Sequence, residues 1–213
     1  MIQATLLDHM GTDLTVSNVA RVSFNKWKDE FDAGDAKLIG YLADHNHTSP
    51  FRHCFASFRC RAPILVHRQL VKHEVGMDHT PTNEVSLRYV TAGDVWRPAE
   101  WREQVPEKKQ GSGGPIENQA RADLLYNIAV GRAVETYELL LDMGVCREQA
   151  RAVLPVSVYT EWVWSGSLQA FAHMCKLRCA QDAQQETREL AEQIRAELVR
   201  IWPVAMAALG VAE

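Results

Sequence analysis

At 213 residues, the chain is long enough to bury a real core without disulfide or metal staples. Hydrophobic residues make up 46% and charged ones 23%, the balance of a soluble globular protein. A formal net charge of -4 excludes a general attraction to nucleic acid or anionic membrane, so any anionic ligand must be handled locally.

Residues 2–7 alternate loosely and predict an opening strand. Residues 35–46 carry Leu38, Ile39, Tyr41 and Leu42 near helical spacing, with Asp35 as the candidate cap. Residues 54–61 alternate apolar with polar or small side chains, which predicts a half-buried strand. Pro63 stands where a first helical turn tolerates it, and a helix is predicted over 64–74. On that helix Leu65, Val66, Leu70 and Val71 face a core. The i,i+4 pairs Arg68/Lys72 and Gln69/His73 share an adjacent polar face. Gly76 and Pro81 bracket an irregular stretch, and residues 86–91 read as a strand.

The GSGGP run at 111–115 is a surface loop, too short to separate folded domains. Helical patterns follow over 117–143, 147–153, 168–178 and 182–209, the last bent or shortened at Pro203. The expected fold class is α+β, a small, mainly antiparallel sheet packed with long helices, in one domain spanning 1–213.

The chemistry concentrates in residues 67–89, HRQLVKHEVGMDHTPTNEVSLRY. Arg68, Gln69, Lys72, His73, Asn83, Glu84, Ser86 and Arg88 crowd into one segment, more cation, amide and carboxylate than a core helix needs. Arg151 in REQARAVLP and Arg178 in CKLRC add two guanidinium forks, groups that suit phosphate or the carbonyl edge of a pyrimidine. This predicts a nucleotide site. Six histidines (His45, His47, His53, His67, His73, His79) cluster between residues 45 and 79, but no HExxH occurs, and no metal is expected. GxSxG, GxGxxG and GxxxxGK[ST] are also missing, as is a proline-preceded cysteine nucleophile. Five cysteines, an odd number without a tight framework, suggest reduced thiols in the cytoplasm. No signal peptide or membrane-spanning run is visible.

Several blocks, in order, resemble the flavin-dependent thymidylate synthases (the ThyX type). They are ARVSF at 20–24, SPFRH at 49–53, the AP…RQ…KH…NEVSLRY block, REQARAVLP at 147–155, VYTEW at 158–162 and the LR…AQ.E run at 177–186. The resemblance implies a methyltransferase of nucleotide biosynthesis that converts dUMP to dTMP. It further implies methylenetetrahydrofolate as carbon donor, NADPH as reductant, FAD as cofactor, and a homotetramer whose sites form where subunits meet. By matching position it assigns Gln69, Lys72, Glu84, Ser86, Arg88, Arg151 and Arg178 to dUMP, with Arg178 catalytic at the uracil. It assigns Ser49, Lys72, His73, Glu74, Asn83, Glu84, Ser167 and His173 to FAD.

The family signature usually begins Arg-His-Arg, whereas here it reads Lys72-His73-Glu74. The loop before Asn83 is longer, and Asp182 stands where many members have histidine. These departures keep two alternatives open: a related flavoenzyme that hydroxymethylates dUMP, and a non-catalytic nucleotide-binding relative.

Overall fold

The computed structural model describes residues 1–73, 80–106 and 111–211. Four strands, β1 (Gln3–Met10), β2 (Phe55–Pro63), β3 (Thr82–Glu84) and β4 (Tyr159–Ser167), form one sheet in the order β1-β2-β4-β3. Every joint is antiparallel. The period-2 alternation of side chains sorts the sheet into two faces. Ala56, Phe58, Cys60 and Ala62 of β2 and Trp162 and Trp164 of β4 are buried on one side. On the other, Arg59 donates through Nε to Glu161 Oε2 at 2.9 Å.

Eight α-helices are described: α1 (Asp13–Arg21), α2 (Ala33–Asp44), α3 (Ile64–Leu70), α4 (Gln119–Asp142), α5 (Arg147–Ala150), α6 (Leu168–Arg178), α7 (Gln185–Ile201) and α8 (Pro203–Ala208). Helices α3, α6 and α7 cover the buried face of the sheet, and α1, α2 and α8 pack on one another beside it. Phe171 of α6 stands edge-on to both Phe58 and Trp164, with ring centroids 5.3 and 5.1 Å away, a geometry that aromatic quadrupoles favour. Among the described residues no helix is long and apolar enough to cross a membrane.

The sequence expectation of an α+β fold with an antiparallel sheet holds, and α4 and α6 fall where the patterns put them. Four local features differ. The strand expected at 86–91 is a turn, because the Ser86 carbonyl accepts from the N–H of Tyr89 and Val90. Ser86 Oγ also accepts from the Arg88 backbone at 3.3 Å, the way serine diverts a chain from the ladder. The paired strand lies just upstream, at β3. Helix α3 stops at Leu70, short of the predicted 74, so Lys72 and His73 follow it in a turn.

At Pro203, where the pattern expects the long C-terminal helix to bend or shorten, it breaks in two, since proline's ring and missing N–H cannot continue a helix. The buried carboxylate of Asp13 accepts from the freed N–H groups of Val204 and Ala205 at 3.1 and 2.8 Å. The central strand β4 and helix α1 have no counterpart among the predicted elements. Finally, the cap of α2 is Asp32, which accepts from the N–H of Gly34 and Asp35.

Asp35 has a different task. Its side chain is fully buried and accepts from Ser17 Oγ at 2.7 Å, Lys28 Nζ at 2.9 Å, the Asp32 N–H at 2.8 Å, and Arg21. Burial alone would raise its pKa. The bonds from Lys28, Ser17, Asp32 and Arg21 outweigh that and hold the carboxyl well below the usual carboxylate range. A carboxyl depressed in the fold stabilises it above the unfolded-chain pKa, and that contribution fades as pH falls toward the folded value. Thermal melts of Asp35→Asn should therefore show a lower Tm at neutral pH and a shallower acid-side decline than the wild type. Parallel pH curves for the two proteins would refute this role.

Candidate active site

A cleft of about 900 Å³ opens between α3, residues 84–88 and residues 148–156, within the ~300–1,000 Å³ usual for small-molecule sites. All three walls hang on β4 or its lead-in. The start of α3 is tied by Ile64 N–H to the Val158 carbonyl and by Leu65 N–H to Val156, each 3.0 Å. Strand β3 pairs Thr82, Asn83 and Glu84 with Trp164, Val163 and Trp162. Val85 N–H extends that edge to the Glu161 carbonyl at 2.9 Å. Arg151 opens the 3-10 turn Arg151–Val153 that follows α5.

Of the expected nucleotide contacts, Glu84, Ser86, Arg88 and Arg151 line this cleft together. Arg68, not assigned from the resemblance, joins them. Arg88 is steadied by Ser86 Oγ, 3.1 Å from its Nε, and by the Tyr89 ring. Arg151 donates to the Glu148 carbonyl at 3.3 Å. Among the described residues, none of these three arginines has a carboxylate ion-pair partner. Glu84 Oε1 accepts from Thr160 Oγ1 at 2.7 Å and lies 3.5 Å from His67 Nδ1. His67 and Thr160 were missed as site residues. His67 sits inside the polar segment, but only the fold reveals its nearness to Glu84.

Gln69, Lys72, His73 and Arg178 do not line the cleft. The polar face expected of α3 divides, with Arg68 on the cleft and Gln69 turned toward α7. Gln69 donates to Gln184 Oε1 at 2.5 Å and accepts from Thr187 Oγ1 at 2.8 Å. Gln184 in turn donates to Glu186, which is ion-paired to Arg102 at 2.7 Å. Arg178 donates through Nε to Nε2 of buried His73 at 2.7 Å. Lys72 is exposed.

Of the expected flavin contacts, Ser49, Asn83 and His173 are exposed. Ser49 borders a second cavity of about 690 Å³ with Phe24, Leu38, Tyr41 and His47. The Ser167 hydroxyl is buried and accepts from the Ala170 N–H as the cap of α6. Glu74 lies outside the described residues, as do Met77, Asp78 and His79 of the longer loop. Among the described residues no three His, Cys, Asp or Glu side chains are grouped to hold a metal ion.

The family model described as "Thymidylate synthase complementing protein" matches residues 5–204. A flavin-dependent thymidylate synthase of Thermus thermophilus is 38% identical over 196 residues, 92% of this chain and 70% of that protein. One from Anaplasma marginale is 37% identical over 202 residues, 92% of this chain and 67% of that protein. Among solved structures, the UMP/dUMP methylase PolB from Streptomyces cacaoi, bound with 5-Br dUMP, superposes with a TM-score of 0.88. It is 32% identical, over 99% of this chain and 95% of its own. The chain belongs to the flavin-dependent thymidylate synthase family.

His73, the acceptor of the Arg178 Nε–H, is held neutral by its surroundings. Burial, then the charges of Arg178 and His173, push it down to about 4 from an ordinary 6.5. It is thus neutral at physiological pH and able to accept from Arg178. Between those two values the unfolded chain binds the proton and the folded chain does not, so stability falls as pH drops through that window. His67 shifts in the same direction. His73→Gln should flatten part of the stability loss between pH 6.5 and 4, measured by urea unfolding at stepped pH. A curve identical to wild type would contradict the burial of a neutral ring.

Proposed function

We propose that the chain converts dUMP to dTMP, with methylenetetrahydrofolate as carbon donor, NADPH as reductant and FAD as resident cofactor. The cleft carries the reading. Guanidinium groups from three segments, Arg68, Arg88 and Arg151, converge around it in a chain of net charge -4. A phosphate group, with several acceptor oxygens, answers such a set of planar donors. Ser86 adds a hydroxyl and Glu84 an acceptor for a sugar hydroxyl or base N–H.

Gln69, Lys72 and Arg178 complete the nucleotide contacts from a neighbouring copy of the chain, because none of them lines the cleft beside Arg151. That requires an oligomer, and a homotetramer is our reading. Helix α4 supports it. Of its 24 residues only Tyr137 is buried, while Leu124, Leu125 and Ile128 are each more than half exposed. Exposed apolar surface of that extent marks an interaction face. Arg178 spends its Nε on His73, so its terminal nitrogens are left to face the uracil carbonyl edge. There they stabilise negative charge as N3 loses its proton, which makes C5 electron-rich.

The donor chemistry fits a flavin dinucleotide. Ser49, Lys72, Asn83 and His173 keep exposed donor-bearing side chains, suited to a pyrophosphate and a carbonyl-edged ring, and Phe24 and Tyr41 wall the cavity that Ser49 borders. When bound, FAD supplies the hydride that reduces the transferred carbon. Five unpaired cysteines support a cytoplasmic setting. A second reading takes UMP as acceptor, favoured by the likeness to PolB, also solved with 5-Br UMP.

Purified protein supplied with FAD, reductant and folate donor should be yellow and add one CH2 to dUMP. A gain of CH2O would replace methylation with hydroxymethylation, a gain on UMP alone would favour the second reading, and a colourless, inert protein would end the enzymatic one. Arg151→Ala should weaken dUMP binding by about 1.5–3 kcal/mol, the scale of a charged hydrogen bond. Unchanged affinity would remove Arg151 from the site. Arg151→Ala and Arg178→Ala proteins should each be inactive and regain activity when mixed under subunit exchange, since a mixed pair holds one intact site. No recovery would argue against a shared site.

A further inference from the structure

Among the described residues, His67 is the buried titratable side chain on the cleft that the proposed chemistry does not use. Its side chain is 10% exposed, and its ring leans on Trp162 with centroids 4.6 Å apart and planes at 51°. Trp162 is itself a core residue of β4, so the imidazole plane is fixed by packing. Nδ1 points to Glu84 Oε1 at 3.5 Å, while Nε2 is buried and has no hydrogen-bond partner.

These facts select one protonation state. A proton on Nε2 would be an orphaned buried N–H, a rare and costly arrangement, and would leave the bare lone pair of Nδ1 facing a carboxylate. The cation would bury the same orphan. Burial indeed holds the ring below its ordinary pKa, against the opposing pull of Glu84. The remaining form carries its proton on Nδ1, on the side of the ring that faces Glu84 Oε1. The 3.5 Å separation is longer than a formed N–H···O bond, and contacts around a site commonly tighten when a ligand seats.

We propose that His67 is a positioning residue for Glu84. With Thr160 Oγ1, 2.7 Å away, its Nδ1–H saturates Oε1 and turns the other carboxylate oxygen into the cleft as a fixed acceptor. Oε2 has no partner among the described residues, and a bound nucleotide's hydroxyl or base N–H is what it awaits. This rests on the nucleotide reading of the cleft and adds a residue which that reading does not assign.

Two measurements test it. In wild-type protein labelled with ¹⁵N-histidine, His67 should be neutral and protonated on Nδ1 at neutral pH. An Nε2–H tautomer or an imidazolium would overturn the proposal, and this arm needs no variant to fold. The second arm compares dUMP affinity in His67→Asn, whose amide places a donor where Nδ1 stood, with His67→Leu, which keeps bulk but no donor. Asn should retain affinity within about threefold of wild type, and Leu should lose roughly tenfold, near the low end for a hydrogen bond to a charged group. Leu binding as well as or better than Asn would make His67 a packing residue and overturn the proposal. Arg151→Ala serves as the reference. If neither wild type nor any variant binds dUMP, the nucleotide reading itself fails and this proposal with it; if Arg151→Ala weakens binding while both His67 variants do not, only the His67 proposal falls.

Discussion

Arg68, Arg88 and Arg151 face one cleft without a carboxylate ion-pair partner among the described residues, and the remaining architecture is arranged around that imbalance. Two like charges held ~8 Å apart repel by about 2 kcal/mol at an effective dielectric near 20. A fold keeps such a set only where the side chains are tethered by neutral groups. Here the Ser86 hydroxyl tethers Arg88 and the Glu148 carbonyl tethers Arg151. Neutral tethers orient a guanidinium without spending its charge, which remains for an anion to answer.

Strand β4 carries that arrangement into the core. Its inward tryptophans, Trp162 and Trp164, belong to the hydrophobic core, and its register fixes β3, hence Glu84. Thr160, two residues before Trp162, donates to Glu84 directly. The lead-in residues Val156 and Val158 hold the start of α3. A single strand thus sets the separations among three walls that are far apart in sequence. On the other side of α3, Gln69 joins the chain Gln184, Glu186 and Arg102. In that chain burial would raise the Glu186 pKa, but the bonds from Arg102, its own backbone N–H and Gln184 together outweigh it and hold the carboxyl below its ordinary value. The two sides of one short helix therefore serve two different polar networks.

Much of this was readable beforehand where a residue's role follows from its immediate neighbours. Helix α6 runs from Leu168 to Arg178 as its pattern implies, and Ser86, Arg88 and Arg151 fall on one cleft as their chemistry suggests. Failures occurred where a distant contact decides. Asp35 has the spacing of a cap, but three basic or hydroxyl partners from outside α2 draw it into the interior. Residues 86–91 are rich in strand formers, and a serine hydroxyl folds them into a turn. The alternation in WVWSGS is the local signal that marks β4. No local signal distinguishes the side of α3 that Gln69 faces from the side that Arg68 faces, since both are polar, and only α7 separates them. The same holds for His67, whose neighbour Glu84 lies on a different element, β3.

The central claim is that the cleft is built for a phosphate. It is tested most directly by calorimetric titration of the purified protein, supplied with FAD, with dUMP and with deoxyuridine, which differ only in that group. The account predicts that dUMP binds at least a hundredfold more tightly, the scale of two charged hydrogen bonds, and that the gap narrows as salt is raised. Equal affinities for the two, at any ionic strength, would contradict it.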